Sequence, residues 1–256
     1  MSAGPAELER AASELSRRIA LAVARAVEGE NTVAVAFSGG VDSSVLAACA
    51  KRHGRVIACT GYSDRSRDGA RSAAAADALG IELVATRLTE ESVARELSRM
   101  ELPFAPTLMD RSLWCLYSVA AQSAKAAGSR VMLLGQLADE LFGGYAKYAS
   151  ALEAGGEEAA RSLMESDFDG YAHRGKIRDV GACSPWVQPR FPYADEDLVK
   201  QAASIPLSYK ITPTSRKEVL RRAAVLLGVP EGIATAPKKA AQYSSGSQKL
   251  VAGSRF

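Results

Sequence analysis

The chain has 256 residues, 47% of them hydrophobic and 24% charged, ordinary globular values that exclude wholesale disorder. A chain of this length buries most of its apolar surface without disulfide staples, and it suits one large α/β domain or one domain with a small appendage. A net charge of +3 is too mild to make nucleic acid or a membrane surface the main partner.

In chain order, residues 6–28 carry apolar positions at helical spacing among Glu and Arg and run out near Gly29. That pattern predicts an amphipathic helix, which serves for internal packing and is also a candidate homodimer face. The start of the chain is too charged for a signal peptide, and nowhere do about 18 apolar residues follow one another as a membrane span requires. A soluble cytoplasmic protein is the expectation.

TVAVAF (32–37) is a β-branched apolar run that breaks into Ser38-Gly39-Gly40, and a helix is expected from Asp42 to about His53. Strands follow at 55–61, 81–88 and 130–135, alternating with helices at 67–79, 89–99 and about 110–127. Near-continuous apolar strands between helices predict a parallel sheet covered on both faces. Beyond about residue 150 no strand is expected, only short helices at 156–168, 195–204 and 215–227. The organisation read from this is a helix (1–29), an α/β core (30–150), a helical region (151–245) and a mobile tail (246–256).

Cys49, Cys59, Cys115 and Cys183 are far apart, and His53 and His173 are the only histidines. No zinc site or disulfide framework is expected from that spacing, only reduced thiols.

Two strands end in polar, glycine-rich segments, and ligands in such sheets bind beyond the carboxyl ends of the strands. In the first, VAVAFSGGVDSSVL, Gly39 and Gly40 allow close backbone approach and the next helix aims free N–H groups at the loop. Ser38, Ser43 and Ser44 add hydroxyls, and Asp42 adds a carboxylate suited to Mg²⁺ beside phosphates. The second, LLGQLADELFGGYAKY (133–148), brings the acids Asp139 and Glu140. Asp139 can face Asp42 across a shared magnesium ion.

SGGVDSS resembles the PP-loop signature of the ATP pyrophosphatases, SGGxDS followed by Ser or Thr. ADELFGGY is similar to the asparagine synthetase signature SGEGADELFGGY. The resemblance extends from about 30 to 250, with Arg190, Tyr193 and Asp195 in PRFPYADEDL and the stretch 216–247 as weaker matches. It implies the adenine nucleotide α-hydrolase-like fold and an ATP-dependent amide ligase that forms an acyl-adenylate and releases pyrophosphate. The most economical reaction is aspartate plus ammonia to asparagine, AMP and pyrophosphate. It further implies ATP at Ser38, Gly39, Gly40, Asp42, Ser43, Ser44, Thr60, Gly61 and Gly135, with Mg²⁺ on Asp42 and Asp139. Glu140 and Gln136 join Asp139 on the reactive side, and Arg111 is a candidate for the substrate carboxylate. A lysine against the phosphates is expected at Lys239, with Lys238 the alternative that the spacing also permits.

The chain departs from that family pattern in three places. No glutaminase segment precedes the loop, since Met1 is followed by Ser2 and a helix, so ammonia is expected from solution or from a separate glutaminase subunit, unless another amine is used. Gln136 stands where the family has Glu, and an amide hydrogen-bonds but is no general base. Ala236 stands where an arginine is expected. Other readings are a different carboxylate–amine ligase, a tRNA-modifying PP-loop enzyme, or a regulatory nucleotide-binding subunit.

Overall fold

The computed structural model describes residues 4–63, 68–212, 214–236 and 247–253. Its centre is a five-stranded, all-parallel sheet in the order β3-β2-β1-β4-β5, with β1 Thr32–Ala36, β2 Arg55–Tyr62, β3 Glu82–Arg87, β4 Val131–Leu133 and β5 Gln188–Arg190. The helices are α1 Pro5–Ala26, α2 Val41–Ala50, α3 Asp68–Leu79, α4 Glu90–Ser98, α5 Leu108–Ala126, α6 Ala138–Phe142 and α7 Ala146–Gly170. Beyond them come α8 Lys176–Cys183, α9 Glu196–Ser204, α10 Leu207–Lys210, α11 Glu218–Leu226, α12 Glu231–Ala234 and a last helix, Ser247–Gly253.

Successive side chains on a strand point to opposite faces, and here both faces are covered. Val33, Val35, Val56, Val131 and Leu133 enter one apolar cluster with α1, α2, α9 and α11. Ala34, Ile57, Cys59, Met132 and Leu134 enter another with Ala120, Ala121 and Ala124 of α5. This is why the strands read as unbroken apolar runs. All four cysteines are buried and free. The apolar stripe of α1 (Leu15, Ile19, Ala22, Val23) is buried in the first cluster, so the stripe considered for a homodimer face is used inside the chain.

After β1 the chain builds β2 and β3 to one side, then returns across β1 to build β4 and β5 on the other. The carboxyl ends of β1 and β4 therefore flank a topological switch point, where an open α/β sheet has its crevice. The two glycine-rich segments leave the sheet at those two ends.

Three expectations need correction. A fifth strand does follow residue 150: β5, which pairs in parallel with β4 through Val131↔Gln188 and Leu133↔Arg190. Its sequence, Gln-Pro-Arg, has no apolar pattern, and Pro189 is tolerated because the strand is at the sheet edge. The helix expected at 156–168 runs from Ala146 to Gly170, with a break at Gly156. Residues 247–253, read as tail, form a helix whose Val251 is buried with Val93, Leu97 and Cys115.

Candidate active site

The sheet order brings the carboxyl ends of β1, β2 and β4 to one cleft of about 720 Å³. Of the residues singled out in the sequence, Ser38, Asp42, Ser43, Thr60, Gly61, Gly135, Gln136, Asp139 and Glu140 line it, whereas Gly39 and Gly40 are not lining residues. Nor is Ser44: it is fully buried behind the loop, because on α2 it falls on the face turned to the core. Arg111 is not a lining residue either, whereas Arg174 and Arg178 are. Lys238 and Lys239 lie outside the described residues.

The loop after β1 is shaped for a ligand. Gly39 has φ +66, and a Cβ there would press on the Arg71 backbone carbonyl and the Ala75 side chain. Gly40 is the N-cap of α2 and supplies no side chain to the helix terminus, so the first-turn N–H groups have no capping side chain. Ser43 Oγ donates to the Gly40 carbonyl at 3.3 Å, and its partner Ser38 Oγ lies 3.4 Å away. Arg71 adds a cation that the sequence did not single out; a Cβ on Gly40 would meet its guanidinium at 3.4 Å. Free N–H groups, hydroxyls and a cation at a helix N-terminus favour an anion.

Tyr193 fixes this loop from below. It is fully buried, and its hydroxyl donates to the Asp42 carbonyl at 3.1 Å. Tyr193→Phe is expected to lower stability by about 1 kcal/mol, the usual net value of one such bond plus an orphaned carbonyl. Urea denaturation checks it, and an unchanged midpoint would show that the bond contributes nothing.

The site is organised by a residue that the sequence reading passed over. Lys217 is 2% exposed, and its Nζ lies 2.6 Å from Asp42 Oδ1 and 2.6 Å from Asp139 Oδ1. Burial alone would lower the Lys217 ammonium, but the Asp139 and Asp42 charges outweigh it and hold the pKa above its ordinary value. The signal was present: Lys217 heads a K-x-x-L-R run, residues 217–221, inside the stretch 216–247 that weakly matches the family. Spacing alone cannot say which lysine of that stretch is buried.

Gly144 makes that ion triad possible. A Cβ at this position would overlap the Asp139 carboxylate and the Lys217 Cε. Leu137 (φ 73) and Lys217 (φ 61) are the two non-glycine residues with positive φ among the described residues, and both are at the site. Such strain costs roughly 1–3 kcal/mol per residue and persists only where packing over-determines it. Leu137 is buried in the main core, which holds the turn that aims Gln136 and Asp139.

Glu140 lines the same cleft and accepts a hydrogen bond from the Tyr145 hydroxyl at 3.1 Å. Burial, and then the charge of Asp139, push its carboxyl up to about 7. Opposite stands a charged wall. Arg178 donates to Asp110 Oδ1 at 3.0 Å and to Asp179 Oδ1 at 2.7 Å, and Arg174 reaches Asp110 Oδ2 at 3.1 Å. Burial would raise Asp110, but hydrogen bonds from Thr107, Arg174 and Arg178 prevail and bring it to about 2. Of the weaker matches, Arg190 pairs with Glu30, while Asp195 caps α9 and pairs with Arg25, so both support the scaffold and neither lines the cleft. Ala236 offers its backbone carbonyl to Arg221.

The sequence profile of the asparagine synthase family matches residues 14–182 and 185–254, nearly the whole chain. The chain belongs to the asparagine synthase family. A Methanocaldococcus jannaschii family member, named "putative asparagine synthetase 1, glutamine-hydrolyzing", is 30% identical over 95% of this chain and 51% of its own length. The mouse protein named asparagine synthetase domain-containing protein 1 is 30% identical over 54% of this chain and 22% of its own length. This asparagine synthase family chain thus spans about half the length of the first relative and less of the second. Among solved structures, the NMN synthetase of Francisella tularensis gives a TM-score of 0.48 at 13% identity, covering 97% of this chain and 87% of that one. The U34-tRNA thiolase NcsA of Methanococcus maripaludis gives 0.41 at 17% identity, covering 94% and 78%.

Proposed function

We propose that this family member is an ATP-dependent amide ligase that forms an acyl-adenylate, with aspartate and ammonia as the most economical substrate pair. The observation that carries this is the pair Asp42 and Asp139, joined by Lys217 at the switch point and set beside the open N-terminus of α2. In this reading Ser38, Gly39, Gly40, Ser43 and the α2 N–H groups hold the pyrophosphate end of ATP. Thr60, Gly61 and Gly135 line the nucleotide.

The donor set suits magnesium. Asp42 and Asp139 both line the cleft and meet at Lys217, and no group of three or more metal-binding side chains occurs among the described residues. Mg²⁺ is commonly held by one or two carboxylates, with waters and substrate phosphates completing its shell. Asp42 and Asp139 would hold it, and it would neutralise phosphate charge. The substrate carboxylate oxygen attacks the α-phosphorus, the bond to the bridging oxygen breaks, and pyrophosphate leaves. Lys217 offsets the charge that develops beside the two aspartates, and Lys239 or Lys238 is a candidate for a further cation. An amine nitrogen then bonds to the acyl carbon, the C–O bond to AMP breaks, and the surplus proton passes to solvent.

Magnesium-dependent ATP–pyrophosphate exchange tests this, with aspartate and other small carboxylates offered in turn. Exchange with aspartate, followed by asparagine and AMP on adding ammonium, is the expected result. Exchange with another acid would keep the mechanism and replace the substrate, and no exchange with any acid would reject it. Asp42→Asn and Asp139→Asn are each expected to lower the exchange rate by about 100-fold or more. A rate within a few-fold of the unaltered protein would sink the assignment of that carboxylate.

A further inference from the structure

The last helix, Ser247–Gly253, has seven residues, too few to be stable in water by themselves, so its place is set by what it packs against. Val251 is buried with Val93 and Leu97 of α4 and Cys115 of α5. Leu250 packs against the same cluster and also against a second one, made of Leu88, Leu113, Leu116 and Val119. Leu250 thus bridges the two clusters.

The second cluster reaches the cleft. Leu113 and Leu116 line it together with Thr60 and Gly61. A Cβ on Gly61 would meet Leu116 Cδ2 at 3.2 Å and Leu88 Cδ1 at 3.5 Å, so both leucines lie on the bare backbone at the end of β2. The Leu88 amide donates to the Tyr62 carbonyl at 2.7 Å and fixes that leucine beside the strand end. One apolar wall of the cleft is therefore held from behind by the last helix.

Chemistry decides which part of a nucleotide meets this wall. Phosphates keep to the loop after β1, where N–H groups and hydroxyls replace their water, and against leucine they would lose that water for nothing. A purine ring has apolar faces and is the part that such a wall can bury. β2 is the strand next to β1, so one nucleotide can reach both strand ends.

We propose that the last helix is the outer support for the base end of the nucleotide site: Leu250 and Val251 are positioning residues that hold Leu113 and Leu116 toward the cleft, and helix docking and nucleotide binding strengthen each other. The inference deepens the reading above and rests on its nucleotide site alone, not on its acceptor or its amine. Such coupling is reciprocal: whatever factor the docked helix adds to nucleotide affinity, the nucleotide adds to docking. A short helix held by few side chains is an element of low local stability, on which a factor of this kind can act.

The test uses the full chain with magnesium and two probes, AMP, which carries the base without the pyrophosphate, and pyrophosphate, which is the reverse. By calorimetry, Leu250→Ser is expected to raise the Kd for AMP about tenfold and to leave that for pyrophosphate within about twofold, with Val251→Ser acting in the same direction. Leu250→Met keeps the apolar volume and is expected to stay within about twofold of the parent for both probes. In the unaltered protein, saturating AMP is expected to slow amide hydrogen exchange across residues 248–253 about tenfold, and pyrophosphate to leave it within about twofold, a readout that needs no variant to fold. An AMP affinity unchanged in both serine variants, AMP and pyrophosphate weakened equally, or hydrogen exchange that AMP does not slow would each overturn the inference. The expected binding pattern in a protein that shows no ATP–pyrophosphate exchange with any carboxylate would uphold the inference and reject the ligase reading. A protein that binds neither AMP nor ATP would overturn it.

Discussion

Replacing Lys217 by methionine is expected to lower ATP–pyrophosphate exchange by at least about 1,000-fold and to cost about 3–5 kcal/mol of stability. Methionine keeps much of the length and apolar stem but leaves Asp42 and Asp139 facing each other without the cation that now bridges them at 2.6 Å. Their side chains are only 24% and 17% exposed, so water screens the repulsion poorly. At roughly 2–4 °C per kcal/mol for a domain of this size, the melting temperature should fall by about 10 °C. A second readout is independent of catalysis. With the ammonium gone, the bare carboxylate pair should gain affinity for a divalent cation, so magnesium alone should raise the melting temperature of the variant more than that of the parent. An unchanged melting temperature, with exchange within tenfold, would show that the triad neither supports the fold nor serves the chemistry.

Gly144→Ala should lower exchange by about 100-fold, with a smaller stability loss of about 1–3 kcal/mol. The backbone at Gly144 does not have positive φ, so alanine meets no intrinsic dihedral penalty there. What it meets is the Asp139 carboxylate and the Lys217 Cε, both of which its Cβ would overlap. The chain can relieve this only by turning Asp139 out of the triad, which removes one of the two facing carboxylates while leaving the sheet intact. Far-ultraviolet circular dichroism should therefore stay near that of the parent while exchange collapses. Full activity would mean that Asp139 can move without consequence, against the role given to it here.

Much of this was legible in the sequence because it is local. An apolar run predicts a doubly covered strand wherever it occurs, so the expected ends of β1 to β4 lie within two residues of the observed ones. SGGVDSS and ADELFGGY are contiguous, and each carries its turn, its helix start and its acid within a few positions. What could not be read was local in sequence only by accident. β5 has no pattern of its own and exists because β4 has a free edge. Ser44 sits two residues from Asp42, yet the helical turn sends it into the core, away from the cleft.

The sequence by itself determined the alternating α/β order, the glycine-rich loop after β1, the two acids and the family. Only the tertiary structure decided which cation belongs between those acids, and which carboxylate accepts a hydrogen bond from Gln136. Lys217 is 175 residues from Asp42, and Asp179 is 43 from Gln136. The physical reason is that a charge pair is chosen by burial and distance, and both are set by how the sheet returns across β1, not by spacing along the chain.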